Sequence, residues 1–539
     1  MNSSGNNANE AWGSRIGLIL AMAGNAVGLG NFLRFPTQAA NNGGGSFMIT
    51  YFVALLLLGI PLMWIEWGLG RNGGRYRKGH IPGMFAAIWH HPLAKYLGVI
   101  GLVIPLAVMI YYTYIESWTL AFTWFSLSKD YWGHTSQESM VSYLQSFQGI
   151  GTERVHQPWT PYAFFAVTLL VNIWVLSKGV SGGIEKLAKI GMPILVIFAV
   201  ILAVTVFFLP PGPGGETALS GLQFLYKPDL SRIDEPGVWL ASAGQIFFTL
   251  SVGMGTLQAY ASYLSTKDDI ALNGIATAAT NETVEVVLGG TIAIPAAVVF
   301  FGVAGGMAVA QSGSFNLGFA TMPVVFQQIP LGNILGAMWF ALLFFAGITS
   351  SVAMLTPVVA FFREEFGWKR ETVAWSLGGL VFVAGMMHIM WLEHGFLDEW
   401  DYWAGTFGLV VFAVMEVLIF MWVFKPERAW RSIHEGADIR IPRIFKFVMS
   451  YITPAYLIVI LLWWGAQDAL PILRNERAAG GGPVSAEAHP YVVASRLILV
   501  GFIVVFAFLV RMAWRRNKYD DRKGFVEIPT DHSRVEEAA

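Results

Sequence analysis

Long apolar runs, separated by short polar or charged stretches, follow one another along the whole chain. Most of them exceed the roughly 20 residues that a helix needs to cross a bilayer. The pattern predicts an all-α polytopic membrane protein with 12 transmembrane helices. The predicted spans are 15–39, 46–69, 94–127, 159–176, 190–209, 238–264, 270–303, 334–362, 373–390, 401–424, 447–466 and 491–514.

Two of these spans contain glycine-rich interruptions. The first has AGNAVGLGN at residues 23–31, and the sixth has VGMG at residues 252–255. Each glycine costs about 1 kcal/mol relative to alanine in a helix interior, so both helices are predicted to break there. Broken backbone at membrane depth is tolerated only inside protein or along a watery cavity. These stretches are therefore the candidate binding site; the alternative is that their glycines only allow close helix packing.

The interrupted spans are the first and the sixth, with four intact spans between them. Similar interruptions in corresponding halves of a chain are typical of inverted-repeat transporters. Because each repeat has an odd number of helices, the second copy is inserted upside down. The predicted 5+5 inverted repeat divides the chain into an N-terminal tail (1–14), a first five-helix repeat (15–209), a second, inverted repeat (237–424), helices 11 and 12 (446–514) and a C-terminal tail (515–539).

The composition supports a membrane protein and excludes several other classes. The chain has 539 residues, of which 55% are hydrophobic and 13% charged, whereas soluble domains have about 25% charged residues. A net charge of -1 gives no indication of a nucleic-acid partner. The absence of cysteine excludes disulfides, thiolate catalysis and cysteine metal sites.

The distribution of Lys and Arg predicts the orientation. These residues concentrate in the loops after the second and tenth spans, whereas 304–330 and 388–400 contain none. By the positive-inside rule, both termini are predicted to lie in the cytoplasm, and the protein is predicted to lie in the inner membrane. The tail after residue 515 is charged and is predicted to be disordered.

Ionisable residues in or beside the spans are functional candidates. Glu66 lies in the second span, and Glu285 lies four residues after Asn281 on one face of the seventh. For both glutamates, the alternative is a protonated or hydrogen-bonded carboxylate that braces the bundle. Arg34 and Asp401 are either a pair that closes the outer mouth or two solvated charges at helix ends.

A broken helix exposes free N–H groups on one side of the break and free carbonyls on the other. An amino-acid zwitterion fits both ends, and a small cation fits the carbonyls together with neutral oxygens such as the Asn31 side chain. Thr349 and Ser350 in the eighth span are further candidate ligands, although such hydroxyls more often bond to their own helix.

Six separate segments resemble the neurotransmitter:sodium symporter family. They are Trp12-x-x-Arg15 leading into GNAVGLGNFLRFP at 24–36, NNGGGSF at 41–47, PLMWIEW at 61–67, QIFFTLS at 245–251, FAGITSS at 345–351 and DYWAGT at 401–406. The likeness extends from about residue 12 to about residue 515. It is strongest to bacterial amino-acid transporters with the leucine-transporter fold.

The resemblance implies that two sodium ions are transported with the substrate. The first would be bound by the substrate carboxylate and by Ala26, Asn31, Thr249 and Asn281. The second would be bound by carbonyls of Gly24, Val27 and Ala346 and by hydroxyls of Thr349 and Ser350. The substrate would contact Asn25, Ala26, Gly28, Leu29, Gly30, Val108, Tyr112, Phe248, Thr249, Ser251, Met254, Ser350 and Met354.

The resemblance also implies two gates. The outer gate would consist of Arg34, Asp401, Tyr112 and Phe248, and the inner gate of Trp12, Tyr263 and Glu364. Asn9 stands where an arginine is expected, so the usual inner salt bridge cannot form. We therefore predict an inner gate that opens readily.

Glu285 occupies a position that is neutral in chloride-dependent relatives. Its carboxylate would supply the negative charge that chloride supplies there, which makes this chain chloride-independent. Met254 and Met354 differ from the leucine-transporter pattern at the side-chain end of the pocket. Since methionine is long and adaptable, the pocket is expected to accept larger hydrophobic side chains.

The sequence therefore predicts a sodium-coupled symporter of neutral hydrophobic amino acids that works by alternating access. The nearest alternative is the same fold carrying an osmolyte or another small zwitterion. A channel is disfavoured because no filter sequence is present. An enzyme is disfavoured because the spans contain no His/Asp/Glu cluster at ligand spacing. The expected partners are an amino acid, Na⁺ and the lipid bilayer, with a homodimer as a further expectation.

Overall fold

The protein folds almost entirely into helices. The computed structural model describes residues 12–150 and 156–526, and within those ranges it contains no β-strand. The predicted all-α class is thus confirmed.

Twenty helices, several with π-helical turns, follow one another along the described chain. They are α1 (Arg15–Ala26), α2 (Leu29–Phe32), α3 (Arg34–Asn41), α4 (Gly45–Arg75), α5 (Ile81–Ile88), α6 (Pro92–Ser128), α7 (Gln137–Gln148), α8 (Thr160–Ser177), α9 (Val180–Phe207), α10 (Ala218–Tyr226), α11 (Pro236–Leu250), α12 (Thr256–Ala261), α13 (Ile270–Gln311), α14 (314–327), α15 (Gly332–Phe366), α16 (Arg370–Met390), α17 (Phe396–Val423), α18 (Pro426–His434), α19 (Ile444–Leu473) and α20 (His489–Arg516).

Ten of these helices are long and apolar enough to cross a membrane: α4, α6, α8, α9, α13, α15, α16, α17, α19 and α20. Two further apolar segments are broken into shorter helices, α1 to α3 and α11 to α12. Together they are consistent with the 12 predicted spans and with breaks in the first and sixth. The repeat boundaries themselves stay a prediction.

Helices α6 and α15 form the centre of the bundle. They pack along each other, and 78% and 89% of their most apolar windows are buried, against 17% for α20. An apolar helix with so little protein contact can shield its surface only in lipid. The functional site is therefore expected around α6 and α15, whereas α20 lies at the lipid-facing periphery.

The seventh span is interrupted close to its predicted end at residue 303. Gly302 has non-helical backbone, with φ 71° and ψ 172°, and a second helical segment continues from there to Gln311. Helix α14 follows, and its Phe319 packs edge-on against Trp118 and Phe122 with ring centroids 5.9 and 5.2 Å apart.

The start of the C-terminal tail is ordered, which corrects the prediction of disorder for its described part. Lys78 Nζ donates to Tyr519 Oη at 2.8 Å and lies 4.4 and 4.7 Å from the ring centroids of Tyr519 and Phe525. Asn517 Nδ2 donates to a carboxylate oxygen of Glu365 at 2.7 Å. These contacts join residues far apart in the sequence, so charge composition alone gives no indication of them.

Candidate functional site

The first break lies directly after α1. Val27 and Gly28 have extended backbone, with ψ values of 103° and -167°, before α2 begins at Leu29. The Gly28 N–H donates to Asn31 Oδ1 at 2.8 Å, and the Leu29 N–H donates to Tyr112 Oη at 3.2 Å. The helix therefore opens where the glycines and asparagines predict, and side chains satisfy the freed N–H groups.

The second break separates α11 from α12. Ser251, Gly253 and Gly255 all have positive φ, at 52°, 75° and 81°. A Cβ on Gly253 would lie 2.5 Å from the carbonyl oxygen of Leu409, so only glycine fits that turn. Ser251 carries a strained left-handed backbone, and its hydroxyl donates to the Asn25 carbonyl at 2.8 Å. The two breaks thus lie side by side, as predicted.

Between the breaks lies a narrow cavity of about 300 Å³ when its open side is included, of which about 10 Å³ has room for a water molecule. Ten of the predicted substrate residues line it: Ala26, Gly28, Gly30, Val108, Tyr112, Phe248, Ser251, Met254, Ser350 and Met354. Asn31, predicted as an ion ligand, lines it too. The other predicted contacts, Asn25, Leu29 and Thr249, are buried next to the cavity but do not line it.

The cavity wall is largely apolar, with a few polar groups, and carries no charge. Its lining residues include backbone of the breaks, two hydroxyl-bearing serines, Tyr112 and Asn31, facing the apolar side chains of Val108, Phe248 and the two methionines. Small-molecule sites commonly combine a largely apolar wall with a few polar groups that orient the ligand. An uncharged wall suits a ligand with no net charge.

Three of the residues predicted for the first sodium form one hydrogen-bonded cluster. Asn31 Nδ2 donates to Asn281 Oδ1 at 2.9 Å and to Thr249 Oγ1 at 3.2 Å, and Asn281 Nδ2 donates to the same hydroxyl at 2.9 Å. All three side chains are buried. Their neutral oxygens gather beside the cavity, where Ala26 also lies.

The residues predicted for the second sodium form another cluster. The Ser350 hydroxyl is 3.2 Å from the Gly24 and Ala346 carbonyls and 3.4 Å from that of Val27. Thr349 Oγ1 donates to the Ala346 carbonyl at 3.2 Å. Carbonyl and hydroxyl oxygens are ligands that hard cations prefer. The Asn25 carbonyl, also 3.2 Å from Ser350, is a member that the sequence did not indicate.

Glu285 lies at the centre of a buried network beside the first cluster. It accepts from Gln245 Nε2 at 2.8 Å, from Asn31 Nδ2 at 3.1 Å and from Tyr51 Oη at 3.2 Å. Tyr51 also donates to Glu282 at 2.7 Å. Sequence reasoning missed Tyr51 and Glu282; the rule that flagged Glu285, a charge within an apolar span, applies equally to Glu282.

Glu66 supports the second break, in agreement with its structural interpretation. Its carboxylate accepts from the Gly253 N–H at 2.6 Å. The carboxyl of Glu416 lies beside it and accepts from Gln258 Nε2 at 2.6 Å. Glu416 was not identified from the sequence.

The predicted outer gate pair is not in contact. Arg34 Nη1 donates to the Gly244 carbonyl at 2.9 Å, and its guanidinium lies 4.9 Å from the ring centroid of Phe248. Asp401 instead accepts from Tyr111 Oη at 2.8 Å. Among the described residues, no ion pair within 4.0 Å joins Arg34 to Asp401. The outer mouth is therefore bounded by these residues without being sealed by a salt bridge.

At the inner end, Trp12 contacts Tyr260 rather than Tyr263. Its indole N–H donates to the Tyr260 carbonyl at 3.3 Å, and the rings meet edge-on at 5.3 Å. Tyr263 is half-buried one turn further on. Glu364 accepts from the Gly79 N–H at 2.9 Å, and Asn9 lies outside the described residues.

The residues beside Glu364 include one titratable group outside the spans. His80 Nε2 lies 2.9 Å from Glu365 Oε1 and 3.5 Å from Glu364 Oε2. Burial lowers the pKa of His80, although the neighbouring Glu365 carboxylate opposes that shift. The structure places His80, fully buried, within this carboxylate cluster.

Glu185 is a further residue at the inner end that sequence reasoning missed. Its carboxylate accepts from the Gly13 N–H at 2.7 Å and from Ser14 Oγ at 2.9 Å. It thereby ties the start of α1 to α9. Glu185 lies at the start of a helical turn, shortly after a pair of glycines. Its local sequence is the same as that of an ordinary charged residue at a helix end.

Comparison with known proteins agrees with this geometry. The model of the sodium:neurotransmitter symporter family matches residues 9–142 and 134–475. An uncharacterised sodium-dependent transporter of Methanocaldococcus jannaschii is 28% identical over 518 residues, which cover 93% of this chain and 98% of that protein. A sodium-dependent nutrient amino acid transporter of Drosophila simulans is 24% identical over 514 residues, covering 84% and 77%.

Among solved structures, the crystal structure of MhsT in complex with L-phenylalanine superposes with a TM-score of 0.72. The sequences are 29% identical, and the match covers 84% of this chain and 99% of MhsT. The predicted leucine-transporter fold is confirmed by this likeness. The broken helices, the membrane spans and the family match lead to one conclusion: the chain belongs to the sodium:neurotransmitter symporter family and is a sodium-dependent, multi-pass membrane transporter, not an enzyme.

Proposed function

We propose that this transporter carries a neutral amino acid with a hydrophobic side chain, together with two sodium ions, by alternating access and without chloride. The observation that carries the proposal is the uncharged cavity between the two helix breaks. Its wall offers the backbone of the two breaks and Tyr112 to a zwitterion and apolar side chains to the rest of the ligand. No charged side chain lines that cavity in the part of the chain that the structure describes.

The two oxygen clusters support sodium as the coupled ion. Both consist of carbonyl, amide and hydroxyl groups, and the second cluster contains no charged ligand. Neutral oxygen ligands suit a monovalent cation better than a divalent one. The first cluster shares Asn31 with the cavity wall. A substrate carboxylate placed there would contact the ion directly, so binding of the ion and binding of the substrate would reinforce each other.

Met254 and Met354 support a preference for large hydrophobic side chains. Both lie on the cavity wall, and methionine adapts its shape and contacts aromatic rings favourably. The superposed MhsT structure contains L-phenylalanine, and the Drosophila relative is described as a nutrient amino acid transporter. An aromatic or long aliphatic amino acid is therefore the proposed cargo.

The proposed location is the inner membrane, with both termini in the cytoplasm. The support is the concentration of Lys and Arg in the loops after α4 and α17. A homodimer is part of the proposal.

The proposal is tested by thermal unfolding of the purified protein with a panel of compounds in sodium or potassium chloride. A ligand that binds only the folded protein raises its unfolding temperature. We expect stabilisation by phenylalanine, leucine and methionine in sodium but not in potassium, and an unchanged result with gluconate in place of chloride. Stabilisation by glycine betaine alone would instead establish an osmolyte as the cargo, and stabilisation without sodium would contradict the coupling.

Asn31→Ala tests the first ion site. The substitution removes the side chain that bridges Thr249, Asn281 and the Gly28 N–H. We expect the sodium concentration for half-maximal substrate binding to rise at least about tenfold, the equivalent of about 1.4 kcal/mol. Asn273→Ala, at a buried asparagine of α13 that does not line the cavity, is the control. Unchanged sodium dependence in the Asn31 variant would exclude the assignment.

A further inference from the structure

A second, larger cavity lies at one end of the bundle, remote in the sequence from the transport site. It opens between the end of α4 and the connection from α17 through α18 to α19, and its volume is about 1560 Å³ when the open mouth is included. Five arginines line it: Arg75, Arg428, Arg431, Arg440 and Arg443. The proposed orientation places this end of the helix bundle on the cytoplasmic side.

The positive charge of this arginine cavity is largely uncompensated. Glu435 is its one acidic lining residue in the described chain, and it is ion-paired with Arg75. The side chains of the other four arginines are exposed and make no hydrogen bond or ion pair with any residue that the structure describes. Nearby Glu427 is already paired with Lys446. Four like charges around one cavity repel each other, so an anion between them stabilises the site.

The guanidinium groups define the chemistry of that anion. Arginine presents a planar set of donors that matches two oxygens of a phosphate at once, whereas chloride has a single centre. Several converging guanidinium groups therefore select a phosphate-bearing ligand.

The frame of the cavity is built before any ligand binds. Arg71 is buried, and its Nη1 donates at 2.8 Å to the carbonyls of both Asp268 and Glu435. Its Nη2 donates to the Ser432 carbonyl. These bonds attach α18 to the end of α4 and to the chain before α13. The arginines therefore lie on segments that are already bonded to one another, so a ligand loses less binding free energy to ordering these segments.

Exposed apolar side chains next to the cavity identify the source of the phosphate. Trp422 and Ile444, adjacent in the sequence to the lining segments, are 53% and 62% exposed, and Phe447 and Tyr451 on α19 are 52% and 58% exposed. In a membrane transporter, such side chains face the bilayer, with Trp and Tyr at headgroup level. A basic cavity beside this surface fits a molecule with a phosphate head and acyl chains.

We propose that the arginine cavity binds the headgroup of an anionic phospholipid. The phosphate lies among Arg428, Arg431, Arg440 and Arg443, and the acyl chains follow the apolar surface of α17 and α19. Basic pockets of this kind at the cytoplasmic ends of transmembrane helices suit lipids with two phosphates. The inference depends on the membrane insertion of the chain and not on the proposed cargo.

The test measures lipid binding by the full-length protein in neutral detergent. Diphosphatidylglycerol, phosphatidylcholine, inorganic phosphate or pyrophosphate is titrated while the unfolding temperature is recorded. The cavity variant carries Arg440→Gln and Arg443→Gln. The matched control carries Arg511→Gln and Arg515→Gln, two exposed arginines near the end of α20. Sodium-dependent amino-acid binding by each variant serves as the check of folding.

We expect diphosphatidylglycerol to stabilise the parent and the control variant, with roughly tenfold weaker apparent affinity in the cavity variant. Phosphatidylcholine has no effect, and inorganic phosphate and pyrophosphate act only at far higher concentrations. Equal loss in both variants would mean a general charge effect and would overturn the proposal, as would equal stabilisation by soluble phosphate. Failure of the parent to bind amino acids would contradict the proposed cargo and leave the lipid result valid.

Discussion

The side chains around Glu285 show how a single carboxylate is matched to its surroundings. Gln245, Tyr51 and Asn31 all direct donors at it, from α11, α4 and α2. Three donors that converge on one buried point need an anion there, because an unsatisfied buried donor costs about 1–3 kcal/mol. This arrangement supports the proposal that the fixed carboxylate takes the place of a bound anion.

Glu285→Ser tests this interpretation. The substitution removes the negative charge but leaves the three donors, so a halide can occupy the vacated volume. We expect substrate binding by the variant to require chloride, whereas the parent binds equally in chloride and gluconate. Binding assays at matched sodium concentrations measure the difference. Glu393→Ser, on the surface between α16 and α17, is the control, and chloride-independent binding by the Glu285 variant would contradict the proposed charge compensation.

The two ends of helix α1 lie in different surroundings. Its C-terminal end opens into the transport cavity, and its start is tied to α9 through Glu185. Trp12 adds a contact to Tyr260 of α12. A short helix that ends at a break can rotate about that break. We therefore infer that the contacts of Glu185 and Trp12 hold the inner end closed.

Glu185→Ala is expected to release the start of α1. The variant loses two hydrogen bonds from a charged acceptor, and the ratio of inward-open to closed molecules should rise roughly tenfold. Because the chain has no cysteine, spin labels on cysteines introduced at Arg15 and Lys369 report this movement without background. Lys186→Ala, an exposed neighbour, is the control. An unchanged distance distribution in the Glu185 variant would show that the tie does not hold the inner end.

Across the whole molecule, the two ends of the transport pathway differ in the contacts that they carry. Arg34 and Asp401 at the outer end are not in contact, whereas the inner end carries the contacts of Trp12, Glu185 and Glu364. Alternating access requires that these two sets of contacts form in turn. The balance between them sets the population of each state.

Asn9→Arg tests the predicted ease of inner opening at this level. The family pattern has an arginine where this chain has Asn9. An arginine at residue 9 supplies that missing cation as a partner for Glu364, so the inward-open population should fall, by roughly threefold for a partly exposed pair. The same spin-label pair measures it, and Asn7→Arg provides a control with the same added charge. Equal inward-open populations in the parent and the Asn9 variant would refute the prediction.

Much of this protein could be predicted without coordinates, because the relevant signals are local. Apolar runs long enough to span lipid, and glycines that interrupt them, depend only on neighbouring residues. For that reason the helices and the two breaks were predictable, whereas the ten cavity-lining residues followed from the resemblance to the symporter family. The predicted Arg34–Asp401 contact is not seen in the structure, and the predicted disorder of the tail failed for residues 517–526, since contacts with other segments decide both.

What only the packed chain decides is which distant groups satisfy one another. Glu416 lies beside Glu66, and Tyr51 donates to Glu285. Arg71 donates to the carbonyl of Ser432, which is 361 residues away in the sequence. Each partner is an ordinary residue in its own stretch of chain. Its role arises from the need to satisfy buried polar groups, and that need exists only once the helices are brought together.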